Sequence, residues 1–98
     1  MNYQTTSVIK NVDFIFVPEL DERFIYGTVI KDVLGRWQPN DWMVSSPIRH
    51  IDVDKLIVRT LNSSYHIDRI TVDIPMTFEQ LLMVRNGIPP TVILKEMK

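Results

Sequence analysis

Three apolar runs within residues 42–74 constrain the fold more than any other part of this chain. They are rich in β-branched residues, and the short polar segments 52–55 and 62–64 separate them. Runs of this kind, joined by breaks rich in Asp, Asn and Ser, are typical of an antiparallel meander. The sequence therefore predicts a protein that is organised around a β-sheet.

Two further strands are predicted ahead of this region. The run 12–17 is strongly β-prone and ends at Pro18, because proline cannot donate to a β-ladder. The run 24–30 contains Gly27, which indicates a bulge or the close approach of another backbone. In the last of the three apolar runs the alternation slips near Asp68, which predicts a bulge there and a sharply turning strand.

The chain changes to a helical period at its C-terminal end. Thr77, followed three residues later by glutamine, fits a capping box, so a helix is predicted over residues 78–86. Gly87 stands where a left-handed C-cap belongs. Pro90 suits the first turn of a second short helix over residues 91–97.

These elements predict an α+β fold in a single domain over residues 1–98. The length of 98 residues, with 45% hydrophobic and 23% charged content, matches one small globular domain. We expect a curved antiparallel sheet of about five strands, as a meander or a small barrel, with one or two C-terminal helices against it. The predicted core takes apolar side chains from every element: Phe14, Phe16, Ile25, Val29, Val44, Leu56, Val58, Ile67, Val72, Phe78, Leu81 and Leu82.

Composition narrows the classes of function. The net charge is −1 and the cations are scattered along the chain, which disfavours binding of nucleic acid through bulk charge. The lack of cysteine excludes disulfides and thiolate–zinc sites. No apolar run approaches the roughly 20 residues that span a bilayer, and the N-terminal sequence lacks the pattern of a secretory signal. We therefore expect a cytoplasmic protein that does not enter a membrane.

No motif in the sequence predicts catalysis or metal binding. Ser45 and Ser46 occur in one chain with His50 and His66, but neither serine lies in a G-x-S-x-G elbow, and a strand serine has no built-in oxyanion hole. The two histidines lack the further ligands that a zinc site requires, so surface histidines with satisfied hydrogen bonds are the better interpretation. We expect no catalytic residue, no metal and no cofactor.

Two tryptophans flank a predicted turn. Residues 38–41 have proline second and asparagine third, which predicts a type I turn and places Trp37 and Trp42 opposite each other on two emerging strands. One interpretation is that both indoles close one end of the core, since tryptophan is commonly buried. The other is that they form an aromatic anchor for a partner. Because the turn is too polar to bury, at least one indole should be partly exposed.

The candidate partner-binding residues combine basic, aromatic and adaptable side chains: Arg36, Trp37, Trp42, Arg49, Arg59 and Met83. Tryptophan and arginine are enriched at interface hot spots, and a methionine on the polar side of a helix suits an adaptable contact surface. Arg85 falls within the apolar stripe of the same helix and is interpreted as reaching toward the helix end, where a cation is favoured. Alternatively, aromatic and arginine side chains on a curved sheet can stack the bases of a single-stranded nucleic acid.

Three segments resemble small phage and prophage proteins: W-M-V-S-S-P-I at 42–48, R-T-L-N-S-S-Y at 59–65 and V-R-N-G-I-P-P at 84–90. In such proteins a strand with W-x-x-[ST]-S-P precedes T-x-N-S-x-Y and a C-terminal helix that ends in glycine and proline. The resemblance implies a mobile-element protein that binds a host protein, as anti-defence and anti-CRISPR inhibitors do, and it carries no catalytic residue. We therefore expect a non-catalytic protein-binding module, with a small single-stranded nucleic-acid-binding β-domain as the alternative. The oligomeric state stays open.

Overall fold

The computed structural model describes residues 6–61 and 63–96. In chain order the elements are β1 (Ser7–Val17), β2 (Glu22–Asp32), β3 (Trp42–Val44), β4 (Ile48–Asp52), β5 (Ile57–Thr60), β6 (Ser64–Ile67), β7 (Ile74–Pro75), α1 (Phe78–Arg85) and α2 (Pro90–Glu96). A predominantly β structure with two short C-terminal helices confirms the α+β prediction in its broad outline. No helix in these ranges is long and apolar enough to cross a membrane.

The sheet is larger than predicted, and it is mixed. Its strands follow the order β3-β2-β1-β6-β5-β4, and β7 also pairs with β1, which makes seven strands rather than about five. The pairings of β1 with β6 and with β7 are parallel, whereas the others are antiparallel. The predicted antiparallel sheet is therefore confirmed in part, and the two parallel pairings of β1 are where the structure departs from it. The sheet is open, since β3 and β4 lie at its two ends.

β1, rather than the predicted meander, is the centre of the sheet. It pairs with β2 along one side, and on its other side β6 pairs with the first part of β1 and β7 with the last part. The meander itself is real, because β4, β5 and β6 pair in turn as antiparallel neighbours. The sheet curls strongly, since Arg49 of β4 reaches Glu22 of β2 at 3.2 Å although three strands lie between them in the sheet order.

The predicted strand through residues 42–51 is two strands at opposite ends of the sheet. β3 pairs with β2, and β4 pairs with β5. The break comes at Ser45, whose backbone N–H donates to the Ile25 carbonyl at 2.9 Å while its hydroxyl oxygen accepts from the Ile25 N–H at 3.0 Å. The hydroxyl replaces the backbone carbonyl in the ladder, and Pro47, which lacks a donor, follows.

The bulge predicted near Asp68 is instead the end of β6. Beyond the end of β6, side chains rather than a backbone strand accept the hydrogen bonds of the β1 N–H groups that lie between β6 and β7. The Asp68 carboxylate accepts from the backbone N–H groups of Asn11 at 2.7 Å and Val12 at 3.2 Å, and the Thr71 hydroxyl oxygen accepts from Phe14 N–H at 3.1 Å. These bonds explain how β1 continues without a backbone partner on this side, while β2 pairs with it on the other.

Gly27 confirms the expectation of a close backbone approach. The register of β1 against β2 shifts between Lys10 and Asp13, opposite Gly27, and Asn11 in this bulge has a φ of 55°. A Cβ on Gly27 would collide with the Ile9 side chain and lie 3.0 Å from the Lys10 carbonyl oxygen. Only glycine fits here without a shift of the neighbouring strand.

The core consists of two clusters, one on each face of the sheet. The first lies within the curl of the sheet and comprises Ile9, Val12, Phe14, Ile25, Val29, Met43, Val58, Tyr65 and Ile67. The second lies under the helices and comprises Ile15, Val17, Phe24, Met76, Leu81, Val84 and Ile93. Six of the predicted core residues are buried: Phe14, Ile25, Val29, Val58, Ile67 and Leu81. Three more are half-buried: Phe16, Val44 and Leu56.

Three predicted core residues are exposed, and the structure explains each. Val72 is 88% exposed because it follows the end of β6 and belongs to no strand. Phe78 and Leu82 are each 42% exposed because α1 faces the sheet with Leu81 and Val84 instead. The apolar stripe of α1 is wider than the side that packs on the sheet, so periodicity alone could not tell its buried residues from its exposed ones.

The ends of α1 form as predicted. The Thr77 hydroxyl oxygen accepts from Gln80 N–H at 3.1 Å, and the Gln80 side-chain oxygen accepts from Thr77 N–H at 2.8 Å, which completes the capping box. At the other end Gly87 has a φ of 105°, and the N–H of Ile88 donates to the Met83 carbonyl at 3.1 Å. Residue 97, the predicted end of the second helix, lies outside the described residues.

Candidate functional site

The predicted turn at residues 38–41 is present, but its type differs. The Asp41 N–H donates to the Gln38 carbonyl at 3.0 Å, and the Asp41 carboxylate accepts from Gln38 N–H at 2.9 Å. Asn40 has a φ of 76°, and a positive φ at the third position is typical of a type II turn rather than type I. Asparagine tolerates this conformation, which is why the same residues suit either type.

The two tryptophans do not face each other across a hairpin, so that prediction was wrong. β2 ends at Asp32, and Trp37 lies in the long loop before β3, whereas Trp42 begins β3 opposite Thr28. The loop is joined to β2 by two hydrogen bonds to Val29. The Val29 N–H donates to the Asp41 carbonyl at 2.8 Å, and the Val29 carbonyl accepts from the Asn40 N–H at 2.7 Å. The two indoles therefore belong to different segments, Trp37 to the loop and Trp42 to β3, and both line one groove.

Trp42 is a partly exposed indole that packs against Tyr26 and Gly87. Its side of β3 also carries Val44, and the ring stacks with Tyr26 at 6.4 Å between centroids and 20° between planes. Gly87, just past the end of α1, lies beneath the indole: a Cβ there would be 3.6 Å from Trp42 Cζ2. The residue remains 43% exposed, as the polarity of the neighbouring turn predicts for at least one indole.

Trp37 is half-buried and packs against the first core cluster. The Arg36 guanidinium lies 4.4 Å from its ring centroid and 5.9 Å from that of Tyr65, so the cation contacts two aromatic rings. Arg36 also donates to the hydroxyls of Ser63 at 2.9 Å and Ser7 at 3.1 Å. These contacts show that Arg36 holds the loop and Trp37 in place.

Asp32, which the sequence analysis did not select, anchors this loop. Its side chain is fully buried and accepts from the Ser7 hydroxyl at 2.7 Å and from the Arg36 backbone N–H at 2.6 Å. Burial by itself would raise the pKa of Asp32, but the hydrogen bonds from Arg36 and Ser7 lower it to about 2. Arg36 is therefore an internally paired cation, because a carboxylate that is ionised at neutral pH lies against it.

An open groove of about 560 Å³ passes over the outer side of β3, with these lining residues: Trp37, Asp41, Trp42, Met43, Val44 and Arg85. Met43 packs into the first core cluster and Val44 against the second, so the groove borders both faces of the sheet. Arg85 enters it from the end of α1. Its guanidinium donates to the Ser45 carbonyl at 3.1 Å and lies 5.6 Å from the Phe24 ring, and burial lowers its pKa.

The other three candidate residues lie away from the groove. Arg49 on β4 pairs with Glu22 and lines a depression of about 340 Å³ between β4 and the start of β2. Arg59 is half-buried on β5, and Met83 is exposed on α1. The six candidates thus do not form one site: Trp37 and Trp42 meet at the groove, with Arg36 behind Trp37. The sequence signal that could have identified Arg85 is its place in an apolar stripe.

The residues considered for catalysis or metal binding do not assemble either. The Ser45 hydroxyl is engaged with backbone partners, and His50 and His66 are exposed on β4 and β6. Over residues 6–61 and 63–96 no three His, Asp or Glu side chains gather as metal ligands. Comparison with protein-family models, with curated proteins and with solved structures finds no match to this chain.

Proposed function

We propose that this chain is a non-catalytic protein-binding module and that the groove at β3 is its binding site. The observation that carries the proposal is Trp42, a partly exposed indole supported by Tyr26 and Gly87 beside Trp37 and Arg85. Tryptophan and arginine dominate interface hot spots. Because Tyr26 and Gly87 already contact the ring, it should lose less conformational entropy than an unsupported side chain when a partner covers it.

The pairing of the arginines favours a protein partner over a nucleic acid. Four arginine–carboxylate ion pairs occur among the described residues: Arg23–Asp73, Arg36–Asp32, Arg49–Glu22 and Arg69–Asp13. Affinity for nucleic acid comes largely from cations that replace condensed counterions on phosphates. A guanidinium that already faces a carboxylate contributes little to that exchange, so the single-stranded nucleic-acid alternative has weaker support.

The partner that fits the resemblance to phage and prophage proteins is a host protein. In that setting the chain acts in the cytoplasm by occupying a surface of its target, as an anti-defence inhibitor does. Such a role needs a stable scaffold and an anchor rather than a catalytic centre. The buried core on both faces of the sheet and the groove at its end supply these two parts.

Two aromatic substitutions test the proposal. Trp42→Ala removes the exposed indole, and Phe78→Ala is the matched control, because Phe78 has almost the same exposure but lies at the opposite end of α1 from the groove. Wild type, both variants and a blank resin are compared as baits in nuclease-treated host-cell lysate, and retained proteins are measured by mass spectrometry and then by affinity titration.

The Phe78→Ala variant should retain the same partner as the wild type, whereas Trp42→Ala should weaken it by roughly 2 kcal/mol or more, which is about thirtyfold. Melting temperatures of both variants must show that they remain folded. Full affinity in a folded Trp42→Ala variant would remove the groove as the site. Binding that disappears with nuclease treatment and falls steeply with salt would instead support the nucleic-acid alternative.

A further inference from the structure

β3 presents unpaired backbone groups to the groove. The Asp41 carbonyl and the Ser45 N–H both bond to β2, at 2.8 Å and 2.9 Å. Backbone groups alternate along an antiparallel strand, so those of Met43 also face β2, while those of Trp42 and Val44 point away from it. Among the described strands none pairs with this outer side of β3.

The groove lies along that outer side rather than on one face of the sheet. Trp37 and Met43 belong to the packing of one face, and Val44 to the packing of the other, yet all three line the groove. A strand placed beside β3 would therefore have Trp37 on one of its faces and Trp42 with Arg85 on the other. Open strand edges accept extended peptides in this way, with backbone bonds giving affinity and side-chain pockets giving specificity.

Arg85 indicates which side chain such a peptide carries. It donates to the Ser45 carbonyl, and among the side chains that the structure describes it forms no ion pair with a carboxylate. A guanidinium group has several N–H donors, so most of its hydrogen-bonding capacity is available. The guanidinium also lies against the Phe24 ring, and this partial burial lowers the pKa of Arg85. A carboxylate on a bound ligand would accept hydrogen bonds from the available N–H groups and would compensate the partly buried charge.

We propose that the groove binds an extended peptide segment of the partner protein, which adds to β3 as a further strand and places an acidic side chain on Arg85. This inference rests on the proposed function and adds the binding mode and the chemistry of the ligand. β3 is three residues long and spans roughly 10 Å. The engaged peptide is therefore short, and its specificity depends on the acidic side chain and on the residue that packs against Trp42.

The first experiment identifies and then maps a peptide. A random decapeptide library is selected against the immobilised full chain, and the expected sequences share an acidic residue at a constant distance from an apolar one. One selected peptide is then synthesised with single N-methyl groups at successive positions. Affinity should fall at least tenfold only at the positions, two residues apart, whose N–H faces the outward backbone groups of Trp42 and Val44, and it should stay unchanged at the position between them and outside this short segment.

The second experiment tests the ion pair. Arg85→Gln in the protein and acidic-to-amide replacement in the peptide should each weaken binding about tenfold, and the two changes together should weaken it no further than either one. Arg85→Lys should recover part of the loss, since it keeps the charge. Arg49→Gln, an arginine change on the opposite end strand, is the matched control and should leave affinity unchanged. Melting temperatures establish that each variant is folded.

Each unfavourable result separates this inference from the proposed function. Selected peptides that depend on Trp42 but lack an acidic residue, or that tolerate N-methylation everywhere, overturn the present inference and leave the groove as a protein-binding site. The same holds if no peptide is selected although Trp42 is required to retain a lysate protein, because the groove then binds a folded surface. If neither peptides nor a lysate protein depend on Trp42, both proposals fail. If Trp42→Ala instead converts a dimer of the chain into a monomer, a second copy is the occupant and the inference is wrong.

Discussion

Replacing Asp32 with asparagine should destabilise the protein in a pH-dependent way. The buried carboxylate accepts hydrogen bonds from the Ser7 hydroxyl at 2.7 Å, the Arg36 backbone N–H at 2.6 Å and the Trp37 N–H at 3.3 Å. Asparagine keeps the shape of the side chain, but it removes the charge and turns one acceptor into a donor. That donor faces other donors, so the substitution disrupts the loop that holds Trp37 beside the groove.

The magnitude follows from the pKa of Asp32. Burial by itself would raise it, but the hydrogen bonds from Arg36 and Ser7 lower it from 3.8 to about 2. That lowering corresponds to about 2 kcal/mol of stability at neutral pH, and solvent around the Arg36 side chain reduces the expected contribution to about 1–2 kcal/mol. Because the folded-state pKa lies below the unfolded value, the contribution is fully present above pH 3.8 and is lost as the pH falls through about 2.

Urea unfolding of wild type and Asp32→Asn between about pH 7 and about pH 2 measures this directly. The difference in unfolding free energy should be largest at neutral pH and should shrink as acid protonates the wild-type carboxylate. Asp13→Asn is the control, because burial raises the pKa of Asp13, with Arg69 opposing the shift and Asp68 adding to it. The folded state favours the protonated Asp13 carboxyl, so the contribution of Asp13 to the unfolding free energy is lost as the pH rises. Asp13→Asn should therefore become more stable relative to the wild type as the pH approaches neutrality. Parallel profiles for wild type and Asp32→Asn would refute the electrostatic account of the loop.

Two further substitutions and one treatment have defined outcomes. Thr77→Ala should cost roughly 0.5–2 kcal/mol in urea unfolding because it removes the capping bond to the Gln80 N–H; an unchanged midpoint would show that the cap is not needed. Gly27→Ala should cost roughly 1–3 kcal/mol through overpacking against Ile9, and the cost should be smaller in an Ile9→Ala background, whereas simple additivity of the two changes would contradict that contact. A chelator should leave the melting temperature unchanged, because the described side chains form no metal-ligand cluster and a structural metal would contribute folding energy directly; a clear drop would reveal a metal.

Local hydrogen bonding explains which elements could be predicted from the sequence. The cap at Thr77 and the left-handed turn at Gly87 use partners within five residues, so short patterns contain all the information that they need. The turn at residues 38–41 is of the same kind, and only its type was wrong. Strand positions were also largely predictable, because β-branched runs between polar breaks mark them without reference to a partner.

Strand pairing could not be predicted in this way, because it depends on contacts between distant residues. Nothing local in β1 shows that β6 and β7 share one of its sides in parallel. The gap between them is filled by the side chains of Asp68 and Thr71, which are polar residues that periodicity assigns to solvent. Val72 lies between these two positions and the start of β7, and it loses its expected burial because the chain runs there as a connection rather than as a strand.

Arg85 shows how a local inconsistency can mark a site whose geometry only the fold reveals. A cation within an apolar helical stripe conflicts with the pattern around it, and such conflicts are expected at functional positions. The attraction of a cation to a helix end accounts for its place in α1 but not for its partners, since its guanidinium bonds to the Ser45 carbonyl of the sheet and lies against Phe24. That contact places it at the end of β3, on the same side of the strand as Trp42. Arg85, the cation within the apolar stripe of α1, is therefore the residue whose replacement tests most directly what the groove binds.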